Sequence, residues 1–196
     1  MTKFRALFFA ASVLLASTVG LAATSATVAD TFKVTYFNAA NTSGVTDDAQ
    51  LVVTNPLSTS HNVAVYVFNN SEELQECCNC SLSPSDIRVF SVNSDLTANP
   101  LHSGTPPTTG PIYLVSNSAG DASAVTTSTL VSGGVRAFST RLQQPESSAP
   151  TTIDVTAGDG LDAPLSTSEL TTLTAACKGI EVDGSGHGIC TCGTGE

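Results

Sequence analysis

Glu76-Cys77-Cys78-Asn79-Cys80 holds half of the six cysteines of this 196-residue chain. The other three, Cys177, Cys190 and Cys192, lie together in the last 20 residues. Two clusters set so far apart read as the two sides of one covalent seam, with the C-terminal segment stapled onto the middle of the chain. Six cysteines allow fifteen complete pairings. Neighbours such as Cys77 and Cys78 pair with each other only under strain. If every bond joins one cluster to the other, six arrangements remain, and geometry alone does not choose among them. Each closes a loop of roughly a hundred residues, worth about 4–5 kcal/mol for the first bridge and less for those that follow. In an extended segment Cys190 and Cys192 point to the same face, so both can meet one nearby cluster.

The competing chemistry is a metal. Thiolates at these spacings, with His187 close by, suit zinc or copper. Zinc sites, however, usually carry a C-x₂₋₄-C spacing together with a second ligand pair, and here that spacing occurs only between Cys77 and Cys80, with Cys78 inside it. Cys77 and Cys80 stand at C-x-x-C spacing only with a third cysteine between them, and no C-x-x-C-H haem attachment motif occurs. The expectation is disulfides formed by Cys77, Cys78, Cys80, Cys177, Cys190 and Cys192 in an oxidising compartment, with no metal site and no cofactor.

The N-terminus supports that compartment. Lys3 and Arg5 precede an apolar run from Ala6 to Ala16, and small residues follow. The run is too short to cross a bilayer and has the pattern of a secretory signal peptide. Cleavage is expected after residue 22 (Gly20-Leu21-Ala22), with a second candidate at residue 26. Residues 23–196 then form a single domain, large enough to bury a core. Without Lys3 and Arg5, five basic residues face 17 acidic ones. Such a surface repels nucleic acid and anionic membrane, and no later stretch is long and apolar enough to span a bilayer.

Ser and Thr together make up 51 residues, Trp is absent, and only 12% of residues are charged. Thr and Val favour pleated, half-buried positions, while Ser, Asn and Gly favour turns. With 41% hydrophobic residues the chain is not compositionally disordered. Strands are expected at 31–38 (Phe32, Val34 and Tyr36 on one face), 50–55, 61–69, 87–93, 111–117, 124–131, 134–143 and 151–156. The segment His61 to Asn69 is apolar on both faces, as in a central strand covered on both sides. Asn70 to Glu76 reads as a short helix, with Asn70 as N-cap and acids in the first turn. Ser166 to Glu169 is a capping box opening a second helix, with Leu170, Leu173 and Cys177 on one face and Lys178-Gly179 as its close. Many short strands, one helix late in the chain and no βαβ alternation indicate an antiparallel β-sandwich.

No catalytic set is evident. There is no G-x-S-x-G, H-E-x-x-H, P-loop or G-x-G-x-x-G. His61, His102 and His187 read as surface or capping residues. Asp154, Asp159, Asp162 and Asp183 offer calcium-type carboxylates on turns without the EF-hand register. Glu72, Glu73 and Glu76 resemble a paired-carboxylate set but serve the helix dipole more simply. Asn41, Asn69 and Asn79 begin N-glycosylation sequons.

The blocks Glu72 to Cys80, Ser91 to Pro100 and Gly188 to Gly193, taken as a set, resemble a group of uncharacterised secreted bacterial proteins. The resemblance covers residues 61–102 and 165–193, and it implies secretion without any activity. The function expected is a secreted, non-catalytic structural or surface protein, extracellular or periplasmic. Self-association into a filament or matrix is expected through an edge strand, from Phe32 to Phe37 or from Leu51 to Val53. The alternative is an extracellular binding module for carbohydrate or protein. Behind these stand a thiol metal carrier and a hydrolase.

Overall fold

The computed structural model describes residues 30–39, 48–101, 106–143 and 154–195. The signal peptide, Asn41 and His102 lie outside the described residues. Among the described residues, ten strands form two antiparallel sheets. The first sheet contains β1 (Phe32–Asn38), β3 (His61–Phe68), β4 (Leu74–Leu82), β6 (Thr109–Asn117) and the two-residue β9 (Leu161–Asp162), in the order β4-β3-β6-β1-β9. The second contains β2 (Gln50–Thr54), β5 (Ile87–Ser91), β7 (Arg136–Gln143), β8 (Asp154–Asp159) and the two-residue β10 (Thr194–Gly195), in the order β10-β5-β2-β7-β8. The chain changes sheet repeatedly, so apart from the pairs β3–β4 and β7–β8 the neighbours in a sheet are not consecutive strands. Helix α1 (Thr167–Asp183) packs on the outer face of the first sheet, which makes three layers.

The alternation of β3 explains the layering. Val63, Val65 and Val67 face the second sheet and join Phe37, Leu51, Val53, Phe90, Ile112 and Leu114 in the core between the sheets. Ala64 and Tyr66 face the other way, against Leu170, Leu173, Cys177 and Ile180 of α1. The Tyr66 hydroxyl donates to the Ala122 carbonyl at 2.8 Å, and burial raises its pKa. A buried phenol keeps its place when its polar end has a partner. In β1 the face holding Phe32, Val34 and Tyr36 looks toward the helix layer. Phe37 belongs to the core between the sheets, and the Thr35 hydroxyl meets that of Ser139 at 2.6 Å.

Helix α1 opens as its capping sequence dictates. The Ser166 hydroxyl accepts from the Glu169 amide at 3.1 Å. The helix does not stop at Lys178-Gly179. It runs to Asp183 and is capped by Gly184, whose amide donates to the Ile180 carbonyl. Ile180 is buried and extends the apolar stripe by one more turn. That burial outweighs the roughly 1 kcal/mol cost of Gly179 inside a helix.

Two expected elements differ. Residues 70–76 are not helical. Asn69 Oδ1 accepts from the Ser71 and Glu73 amides, Glu72 adopts φ +63°, and the chain reverses into β4. The capping chemistry of Asn is real but serves a hairpin turn. Pairing of β4 along β3, from His61↔Leu82 to Phe68↔Leu74, overrides the local helix signal. Likewise 124–131 is not a strand. It contains two 3₁₀ turns, Ala122–Ala124 and Thr127–Thr129, and touches β6 at one bridge, Asn117↔Leu130. Threonine hydroxyls satisfy backbone groups locally there, as Thr129 Oγ1 does for the Thr126 amide.

Candidate functional site

The cysteine clusters meet along β4. Its alternation sends Cys77 toward the helix layer and Cys78 and Cys80 into the core between the sheets. Cys77 bonds Cys177 of α1, Cys78 bonds Cys190, and Cys80 bonds Cys192. The Cα–Cα separations are 5.9, 5.3 and 5.4 Å, within the ordinary disulfide range. All three join cluster to cluster, and the outward position of Cys77 selects the helix cysteine as its partner. Cys190 and Cys192 meet the two cysteines of β4 that share a face. Three such bonds belong to an oxidising environment.

The tail is also held without sulfur. Ile189 makes a parallel bridge to Cys77. The Cys77 amide donates to the Gly188 carbonyl at 2.8 Å, and the Gly188 amide donates to the Asn99 carbonyl at 2.6 Å. Gly188 has φ +83°, and a Cβ there would meet Ile180 Cγ2 at 2.5 Å, so only glycine passes between helix and strand. Asn99 Nδ2 donates to the Gly186 carbonyl at 2.9 Å, and His187 Nδ1 bonds Asn99 Oδ1 at 2.9 Å. Further along, the Thr191 amide and hydroxyl donate to the carbonyl and carboxylate of Asp95, at 2.9 and 3.0 Å. Asp95 lies in a π-helical turn, Val92–Leu96. The strand expected at 87–93 stops short of Asp95, and the sequence assigns neither Asp95 nor Asn99 a role. Nothing in their neighbourhood announces two anchors for a segment ninety residues away.

Glu76 is fully buried on the same face of β4 as Cys78 and Cys80. Its Oε1 accepts from the Asn99 amide at 2.7 Å, while Oε2 is buried without a partner. Desolvation pushes its pKa up to about 7, against the opposing pull of the Asn99 hydrogen bond. This is the reverse of the exposed helix-dipole role its sequence context suggests.

A cleft of about 280 Å³ lies over the seam, lined by Cys78, Asn79, Asp121, Cys177, Glu181 and Cys190 among others. Asp121 is held below the usual carboxylate range, first by a side-chain hydrogen bond with Glu181 and against the desolvation that would raise it. Glu181 also accepts from Ser123 Oγ at 2.7 Å and pairs with Lys178 at 3.1 Å. Ser123 and Glu181 thus tie α1 to the 3₁₀ turn below it. Neither acid stands out in the sequence, because their partnership exists only once α1 has docked.

The remaining candidates are dispersed. His61 donates from Nε2 to the Gly134 carbonyl at 2.7 Å and is buried, so it is a core residue and not a surface one. Asp162 accepts from Lys33 Nζ at 2.6 Å, and Asp30 does so at 2.7 Å. Lys33 is buried. These hydrogen bonds raise its pKa against a desolvation that would lower it, and they hold both carboxyls low. Asp183 ends α1, far along the chain from Asp162, and the side chains of Asp154 and Asp159 lie outside the described residues. Asn69 closes its turn through Glu73, and Asn79 donates to the Ala119 carbonyl. The proposed edge strands are inner strands. β1 pairs with β6 and β9, and β2 pairs with β5 and β7. On the outer face of the second sheet, Ile87 and Phe138 are 49% and 41% exposed, near half-buried Val52 and Val89.

No helix among the described residues is long and apolar enough to cross a membrane. No protein-family model matches this chain, and neither a curated protein nor a solved structure matches it.

Proposed function

We propose that this is a secreted, non-catalytic structural or surface protein. The observation that carries the reading is the concentration of covalent construction at one place. Three disulfides fasten the segment from α1 to Cys192 to β4, and Asn99 and Asp95 hold the same segment from a second side. Such a seam gives resistance to unfolding and proteolysis outside the cell, where no chaperone or reductant is at hand. The short apolar leader after Lys3 and Arg5, and the likeness of the cysteine blocks to secreted bacterial proteins, support the same compartment. The carboxylates beside the seam are engaged by Ser123 and Lys178, which suits a structural clasp better than acid–base chemistry.

Self-association is part of this reading, although β1 and β2 are enclosed by neighbours. Sedimentation velocity on the secreted chain, over a wide concentration range, tests it. Concentration-dependent assembly supports a subunit, and a monomer at every concentration removes the filament version. Retention of the protein in the cytoplasm of its producing cell would overturn the localisation. A reproducible hit on a glycan array would replace the structural reading with the binding-module alternative.

A further inference from the structure

At the edge of the first sheet away from the disulfides, Lys33 stands directly opposite Asp162 in the pairing of β1 with β9. Lys33 Nζ lies 2.6 Å from Asp162 Oδ1 and 2.7 Å from Asp30 Oδ1. The Asp30 amide donates to the same Asp162 oxygen at 2.9 Å. Only 8% of the Lys33 side chain is exposed, against 62% for Lys178 in its surface pair with Glu181. We propose that the folded chain joins Lys33 to Asp162 by an isopeptide bond, with Asp30 as the acid–base group that forms it.

A buried ammonium–carboxylate pair is costly to desolvate, and condensation to an amide replaces two charges by one neutral group. Free in water, an amine and an acid do not condense to a useful extent. Groups held in contact react at an effective molarity of about 10⁵–10⁸ M, once the reacting atoms stand about 3–3.5 Å apart. The frame here is fixed on every side. Lys33 is paired with Leu114 across β6 and with Asp162 across β9. The Asp30 carbonyl accepts from the Val135 amide at 2.8 Å, and its Oδ2 accepts from Arg136 Nε at 3.0 Å, which leaves Oδ1 to the lysine. At φ +59° Asp30 presents both its amide and its carboxylate to the pair. The two residues of β9 pair only with β1, so the bond closes this edge of the sheet as the disulfides close the edge at β4.

The reaction needs no other reagent. Asp30 relays one proton from Lys33 Nζ to Oδ2 of Asp162, so that a neutral amine meets a neutral acid. Nζ then attacks Cγ, and the charge that develops on Oδ1 falls on the atom that already accepts from the Asp30 amide. The bond from Cγ to Oδ2 breaks. Nζ gives up a second proton, again through Asp30, and Oδ2 leaves as water. One N–C bond forms, one C–O bond breaks, both protons end on the water, and nothing is oxidised or reduced.

Mass spectrometry of the secreted protein, reduced and denatured, reads the bond directly. The wild-type chain should be one water lighter than the Lys33→Arg variant once the substitution itself is subtracted. Trypsin should leave Lys33 uncut and yield a branched peptide that joins the residues around Lys33 to those around Asp162. Asp162→Ala should restore the missing water. Asp30→Asn keeps the amide donor but cannot relay a proton, and it too should restore the full mass. Asp162→Asn should still give the branched peptide, with ammonia leaving in place of water. A wild-type chain of full mass whose Lys33 is open to trypsin overturns the proposal, whatever the variants do. A link that forms undiminished in Asp30→Asn overturns the role given to Asp30.

Discussion

Glu76 shows how one buried group sets a pH dependence for the whole chain. Its ordinary value is 4.5 and its folded value about 7. In that interval the unfolded chain has released the proton and the folded chain keeps it. Its contribution to stability is therefore fully present below pH 4.5 and is lost as pH rises through 7, by up to about 3 kcal/mol. Glu76→Gln keeps an acceptor for the Asn99 amide but cannot ionise. Its urea midpoint should change less between pH 5 and pH 8 than that of the wild type, and equal changes in both would refute the assignment. Gly188 is the second residue whose identity is dictated locally. Gly188→Ala places a methyl against Ile180 at a left-handed φ, and should lower stability by about 2–3 kcal/mol in chemical unfolding.

At the level of elements, α1 is a lid on the first sheet, held by an apolar stripe, the Ser123–Glu181 hydrogen bond and one disulfide. Replacing Cys77 and Cys177 together by Ser should leave both sheets intact while α1 opens more readily. Amide exchange in α1 should accelerate about tenfold or more, with that in β3 unchanged. Equal acceleration in both would mean that the helix and sheets unfold as one unit. The elements also show what the sequence could reveal. The two-faced apolar run of β3 announced a middle layer, and Ser166 with Glu169 announced the start of α1, because both signals are local and match their tertiary setting. Asn70 to Glu76 misled, because an Asn accepting backbone amides opens a turn or a helix equally well, and only β3 decides between them. The run 124–131 misled for the related reason that Thr and Val favour strands only when a neighbour is there to pair with. The six cysteines were legible as a seam. Their connectivity was not, since it depends on Cys77 facing one layer while Cys78 and Cys80 face the other.

For the molecule as a whole, the three disulfides close nearly the same loop, with separations of 100, 112 and 112 residues. Their stabilising effects therefore overlap. Removing any one pair leaves the loop shut and should lower Tm by only a few degrees, while full reduction should cost about 5 kcal/mol, or about 15 °C. Calorimetry of the three paired Cys→Ser variants beside the reduced wild type tests this, and strict additivity would count against it. The same long separation governs timing. β4 is synthesised about a hundred residues ahead of the segment that covers its open side, an interval of some ten seconds at ordinary elongation rates. Until residue 192 arrives, that strand waits with bare edge and free thiols, so the nascent chain must be kept apart from its neighbours until the covering segment is made.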